Sequence, residues 1–270
     1  MTLRDVLRTV VEERTPALAR AWRSLRDELY LARLRPQRTQ HGFLFAGDRS
    51  MQEGTFEPEE TRLVCELLQR ADRLIDVGAY AGYYTAIARA AGRSAIAIEP
   101  SPANCRLLMH NLALNEWADV EIWPMAVAAK PELLPLYGAA TGATLVEGWN
   151  GISARHRQIV AVTTLDTLLG DRFAGEQLLV KIDVEGAENE VLAGATNTAM
   201  RTPKPFWMVE ATHTAHARDR FLDTFDFFWS RGYECHAANR ERTRVTREEL
   251  LGWMSRNALP TYNWFFAERS

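Results

Sequence analysis

Apolar residues recur along the chain with two different periods. In residues 1–35 they fall at helical spacing: Leu3, Val6, Leu7 and Val10, then Leu18, Ala21, Trp22, Leu25 and Leu29. This predicts two helices parted at Pro16, with Thr15 as N-cap and Pro16 at the first helical position. From residue 55 the pattern changes. Glu57-Pro58-Glu59-Glu60 opens a helix to about Arg70, its acids favoured by the positive end of the helix dipole. Short apolar runs then alternate with helical stretches. Strands are expected at Arg73–Val77, Ser94–Ile98, Val120–Trp123, Leu178–Ile182 and Phe206–Val209. Helices are expected at about 82–91, 101–114, 186–193 and 218–230. That alternation predicts an α/β fold with βαβ units, a mostly parallel sheet and ligands at the carboxyl ends of its strands. Gly232–Ala237 and Thr261–Phe266 read as a terminal antiparallel pair. Gly138–Arg157, rich in glycine and carrying Trp149 and His156, breaks the alternation and reads as a long loop on the pocket wall. The expected organisation is an N-terminal helical extension and lead-in over residues 1–54, then one domain over residues 55–270.

Composition narrows the classes. The 270 residues are 47% hydrophobic and 25% charged, ordinary for a globular protein. A net charge of −3 gives no global field to attract nucleic acid or an anionic membrane. No apolar stretch approaches the roughly 18 residues of a membrane span. Cys65, Cys105 and Cys235 are dispersed, odd in number and without a C-x-x-C pair. This argues against a disulfide framework or structural zinc and fits a reducing, cytoplasmic location. Residues 1–35 are locally basic, which suits a lid or a homo-oligomeric contact. Of the 32 basic residues only Lys130, Lys181 and Lys204 are lysines, the other 29 being arginines, so Lys181 stands out.

Three strand ends carry the candidate chemistry. Leu74-Ile-Asp-Val-Gly-Ala-Tyr-Ala-Gly-Tyr-Tyr-Thr85 places Asp76 two residues before Gly78, with Gly82 at the start of a helix. Gly78 permits a sharp turn, and the helix N-terminus offers free N–H groups. The spacing G-x-x-x-G differs from the dinucleotide fingerprint. A carboxylate at that strand end suits a ligand bearing an ammonium, such as the methionine part of S-adenosylmethionine (SAM). Ile96-Ala-Ile-Glu-Pro-Ser101 places Glu99 where an acid about 20 residues beyond a glycine turn hydrogen-bonds ribose hydroxyls. Leu178-Leu-Val-Lys-Ile-Asp-Val-Glu-Gly-Ala-Glu188 crowds Lys181, Asp183, Glu185 and Glu188 at the end of a buried strand. Buried ionisable groups need partners or a use, and strand alternation puts Lys181 and Asp183 on one face.

Together these pieces resemble the FkbM-type family of SAM-dependent methyltransferases. The resemblance runs from about residue 42 to 268 and includes Gly54-Thr-Phe-Glu-Pro-Glu59, Asn111-Leu-Ala-Leu-Asn115 and Ala126-Val127 besides the three strand ends. It implies a Rossmann-like class I methyltransferase fold and O-methylation of a hydroxyl on a sugar or secondary metabolite. The expected cofactor-binding residues are Asp76, Gly78, Ala79, Tyr80, Gly82, Tyr84, Glu99, Pro100, Ser101, Asn104, Ala126 and Asp183. Tyr80 stands where the family commonly has Asn. The candidate catalytic residues are Lys181, Asp183, Glu185, Glu210 and His213, since a base in the cleft would take the hydroxyl proton. His213 has the pKa suited to that task. Asp183 with Glu210 is also compatible with Mg²⁺, whereas His213 and His216 lack a third ligand at zinc spacing. The competing expectation is a catalytically inactive SAM-binding or assembly protein that engages a partner through the N-terminal helices.

Overall fold

The computed structural model describes residue 31 and residues 33–138, 140–152, 157–212, 220–239 and 241–269. The two expected N-terminal helices, His156, His213 and His216 lie outside the described residues. Gln37–Ser270 form one compact unit.

Aliphatic runs buried on both sides form the centre of an eight-stranded sheet. In chain order its strands are β3 (Arg73–Val77), β4 (Ser94–Ile98), β5 (Glu121–Trp123), β9 (Leu178–Ile182), β10 (Phe206–Glu210), β11 (Tyr233–Ala237), β12 (Arg244–Val245) and β13 (Asn263–Glu268). They lie in the order β12-β11-β13-β10-β9-β3-β4-β5. The pairs from β10 to β5 are all parallel, and β13 runs antiparallel between β10 and β11. This is the Rossmann-like, doubly wound architecture that the resemblance implies. Successive side chains point to opposite faces. Ile75, Val77, Ile96, Ile98, Val180, Ile182, Trp207 and Phe266 face α5 (Leu165–Leu169), α6 (Glu188–Ala193) and α7 (Phe221–Trp229) in one core. On the other face Ala97 packs with Leu108 and Leu112 of α4 (Pro102–Ala113). α3 (Tyr83–Ala90) joins that layer, and α2 (Pro58–Leu68) packs on α3. The chain leaves β3 toward β4 and β5, then returns to build β9 and β10 on the other side. The crevice over β3 and β9 is therefore the topological switch point, where such sheets take their ligands.

One sequence expectation is revised. Residues 138–157 are not one long loop. Tyr137 and Thr144 form a β-bridge, 3₁₀ turns occupy Ala140–Gly142 and Trp149–Gly151, and Arg157 already starts a strand. That strand, β8 (Arg157–Thr163), pairs with β6 (Ala126–Val127) and β7 (Glu132–Tyr137) in a separate three-stranded sheet. Pro135 inside β7 and only partial alternation hide this hairpin from a periodicity reading. The segment before residue 55 also carries structure: β1 (Gln37–Arg38), β2 (Leu44–Phe45) and α1 (Arg49–Glu53). Two asparagines, one in α4 and one in its C-terminal turn, hold β2 in addition to its partner strand β1. Asn111 Oδ1 accepts from Ala46 N and its Nδ2 donates to Ala46 O and Ala81 O. Asn115 bonds Leu44 N and O in the same manner.

Among the described residues no helix is long and apolar enough to cross a membrane.

Candidate active site

At the end of β3 the chain must turn beside the exit of β9. Asp183 N donates to Val77 O, and Gly78 follows at φ +87°. A Cβ on Gly78 would lie 1.8 Å from the backbone oxygen of Asp183. No side chain fits there, so the close approach that requires this glycine is to β9. Asp76, buried one residue before the strand's end, accepts from Thr85 N at 3.1 Å and Thr85 Oγ1 at 2.6 Å. Burial raises its pKa, and the nearby Lys181 charge opposes that rise. Glu99, at the end of β4, is tied to both neighbouring turns. Its oxygens accept from Ser101 N at 2.7 Å, Asn104 Nδ2 at 3.2 Å and Tyr80 N at 2.9 Å. Burial pushes its carboxyl up to about 7, against the pull of those hydrogen bonds.

Across the crevice the charges pool. Lys181 sits in register with Asp76 on β3 and with Met208 on β10, so its side chain leaves the same face as Asp76. Lys181 Nζ lies 2.8 Å from Asp183 Oδ2 and 4.6 Å from the centre of the Tyr84 ring. The Lys181 side chain is only 3% exposed. Burial opposes its charge, but the carboxylates of Asp183, Glu57 and Asp76 outweigh burial and hold it protonated. The Asp183 and Glu210 carboxyls lie side by side, with an oxygen of each within 4.8 Å of the other. Burial, and then the Asp183 charge, push Glu210 far above the usual carboxylate range. Asp183 stays below that range because Lys181 and the Glu210 proton overcome its own burial. The pair therefore holds one proton near neutrality, as two close carboxylates must.

Glu57 completes the group. It accepts from the Tyr84 hydroxyl at 2.6 Å, and ligand atoms of Glu57, Asp183 and Glu210 lie within 4.8 Å of one another. Its backbone is left-handed at φ +40°, which strains a non-glycine residue. Sequence reading places Glu57 only as a helix-end acid. The structure makes it the half-buried residue before Pro58, on the wall of the cavity over the strand ends. The available signal was local: an acid between Phe56 and a helix-opening proline, within a stretch the resemblance already marked.

These groups face one cavity of about 400 Å³. Its walls include Gly78, Ala79, Tyr80, Glu99, Pro100 and Asn104 on one side. Glu57, Tyr84, Lys181, Asp183, Glu185 and Glu210 stand on the other.

Residues 76–235, more than half of the chain, match the family model described as the methyltransferase FkbM domain. The chain belongs to the FkbM methyltransferase family. No curated protein matches it. Among solved structures, this FkbM methyltransferase is similar to a SAM-dependent methyltransferase from Agrobacterium tumefaciens. The two share 11% identity at a TM-score of 0.46, covering 88% of this chain and 70% of that one. It is also similar to an O-methyltransferase from Bacillus cereus solved with SAH (10% identity, TM-score 0.45, 80% and 83% covered). A third is the precorrin-6y C5,15-methyltransferase of Geobacter metallireducens GS-15 (11%, TM-score 0.41, 82% and 91%).

Within the FkbM domain most expected site residues meet at the cavity. Asp76, Tyr84 and Ala126 line it together with those named above. Gly82 and Ser101 do not line it. They cap α3 and α4, Ser101 by accepting from Asn104 N, and so hold the two turns rather than form the wall. Glu185 belongs to the loop wall. It is held at φ +54°, its Oε2 accepts from Trp149 Nε1 at 2.9 Å and its carbonyl accepts from Thr144 Oγ1 at 2.7 Å. Burial raises its pKa, and the Trp149 hydrogen bond offsets part of the rise. Trp149 is buried against Gly186, where a Cβ would meet the indole at 2.5 Å. The indole is therefore an anchor for the 138–152 segment, while Thr141, Ala143, Thr144 and Leu145 reach the cavity.

Proposed function

We propose that this FkbM methyltransferase moves the methyl group of SAM to a hydroxyl of a small molecule, a sugar or secondary metabolite. The observation that carries the reading is the joining in one cavity of the Gly78–Glu99 wall with the Lys181–Asp183–Glu210–Glu57 group. The cofactor side suits SAM. Glu99 fills three of about four lone-pair positions with protein donors, which leaves one for a ribose hydroxyl. Ile98, Pro100, Ala126 and Val127 give that side an apolar lining for a flat base. Asp76 keeps Oδ1 outside its Thr85 contacts for an ammonium.

Bound SAM supplies an electrophilic methyl on sulfonium, and the protein's part is to align the acceptor oxygen. The singly protonated Asp183–Glu210 pair orients the acceptor O–H. As the new C–O bond forms, the hydroxyl proton becomes strongly acidic, so the Asp183 carboxylate takes it although its own pKa is low. Lys181 keeps that carboxylate charged until then. The test is transfer of labelled methyl from SAM to a panel of hydroxyl compounds, with products mapped by mass spectrometry. Transfer to oxygen is expected. Asp183→Asn and Glu210→Gln should lower turnover by about 10²–10⁴-fold while SAM affinity changes little. Normal turnover in both variants, or methylation confined to nitrogen or sulfur, refutes the assignment.

A further inference from the structure

The acceptor side of the cavity is acidic beyond what the reaction needs. To Asp183, Glu185 and Glu210 on that side the lead-in segment adds the carboxylate of Glu57, while Asp76 and Glu99 line the cofactor side. The one cation on the wall among the described residues is Lys181, already bonded to Asp183. No arginine lines the cavity among those residues, in a chain holding 29 of them. An aromatic wall provides a second, independent sign. Phe56, Tyr83 and Tyr84 all line the cavity, their rings packed 5.5–6.3 Å apart beside Glu57. Carboxylates set among aromatic faces recognise ammonium groups, whereas phosphate and carboxylate ligands need arginine or lysine donors.

Resting on the reading that SAM and acceptor share this cavity, we infer that the acceptor is an amino alcohol or amino sugar, its protonated amine bound at Glu57 and its hydroxyl at Asp183 and Glu210. Glu57 gives one oxygen to Tyr84 and keeps Oε1 for the ammonium. The 4.8 Å span of the three carboxylates fits an amine and a hydroxyl on neighbouring carbons. Holding the amine protonated also removes its lone pair, so the nucleophile left for methylation is the hydroxyl. An acceptor bearing phosphate or carboxylate would meet the carboxylates of Glu57, Asp183 and Glu185, with Lys181 already engaged by Asp183.

Calorimetry on the full chain tests this. The protein is first saturated with SAH; failure of that step counts against the cofactor reading and leaves the acceptor claim separate. The loaded protein is then titrated with glucose, glucosamine and glucose 6-phosphate, and with phenylalaninol and N-acetylphenylalaninol. On at least one scaffold the amine should bind about tenfold or more tighter than its neutral counterpart, and the phosphate should give no heat. Glu57→Gln should cut the amine-to-neutral affinity ratio about tenfold, and Glu57→Asp should restore part of it. Equal affinities for amine and neutral members, no binding by either amine, or binding of the phosphate overturns the inference. An unchanged ratio in Glu57→Gln overturns the assignment to Glu57.

Discussion

On the β3–β4 side of the cavity Asp76 and Glu99 take their hydrogen bonds from neutral donors, backbone N–H groups and the side chains of Thr85 and Asn104. On the β9–β10 side Lys181, Asp183, Glu210 and Glu57 hold one another or share Tyr84. The first arrangement is local, each carboxylate being bonded within 20 residues of itself. The second gathers residues 57, 181–183 and 210, which only the finished sheet brings together. A wall of fixed neutral donors presents a rigid, pre-set surface. A cluster with one shared proton and one lysine can change its proton count as chemistry proceeds.

Breaking the first wall at its tightest point should have the largest effect. Gly78→Ala puts a methyl into the Asp183 carbonyl at a left-handed backbone position. We expect a loss on the order of 4–5 kcal/mol, or no folded protein, in denaturant unfolding. Stability within about 1 kcal/mol of wild type would show that the strands are not pressed together there. For the pooled side, Lys181→Met should cost about 3 kcal/mol, because it leaves the half-buried Asp183 carboxylate without its ion-pair partner. The double variant Lys181→Met/Asp183→Asn should recover a good part of that loss. A double variant no more stable than the single one would mean that the pair is not the unit holding this wall.

The two sides should also differ in how they respond to pH. Burial raises Glu99 to about 7 in the folded protein, above its unfolded value, so its contribution to stability is fully present below the unfolded pKa. That contribution is lost as pH rises through about 7. Glu188, buried where its carboxylate accepts from Gly186 N, follows the same course near the same pH. Stability should therefore fall from about pH 4.5 to about pH 7, and Glu99→Gln should flatten the fall by about 1–3 kcal/mol. A profile of unaltered slope in Glu99→Gln would remove Glu99 from this account. The smallest effect is expected at the loop wall. Trp149→Phe keeps the ring against Gly186 but drops the hydrogen bond to Glu185, worth about 1 kcal/mol. Melting should drop by about 2–4 °C, with faster proteolysis in residues 138–152. Unchanged protection of that segment would deny the bond its anchoring role.

The contrast also explains what could be read from sequence. Asp76, Gly78 and Glu99 were legible because strand end, turn and following helix are contiguous, and because the geometry forces glycine and acid at fixed offsets. Alternation placed Lys181 and Asp183 on one face before any contact was known. Glu57 was not legible as a site residue. Its burial depends on the lead-in segment folding back, and that fold-back is secured by Asn111 and Asn115 more than 60 residues away. A tryptophan in a glycine-rich loop is equally compatible with contacting an acceptor and with anchoring the loop, and for Trp149 only the 2.5 Å approach to Gly186 separates the two. The β7–β8 hairpin escaped because its outer face shows Leu133 and Ile159 to solvent, which blurs the inside–outside alternation.

We propose that the Gly78–Glu99 wall binds SAM. It is tested most directly by calorimetric titration of the full chain with SAH, alongside Asp76→Ala and Glu99→Ala. One-to-one binding by the wild type, weakened about tenfold or more in both variants, is the expected result. A folded wild-type protein giving no heat at millimolar SAH, or variants binding as tightly as wild type, would contradict it.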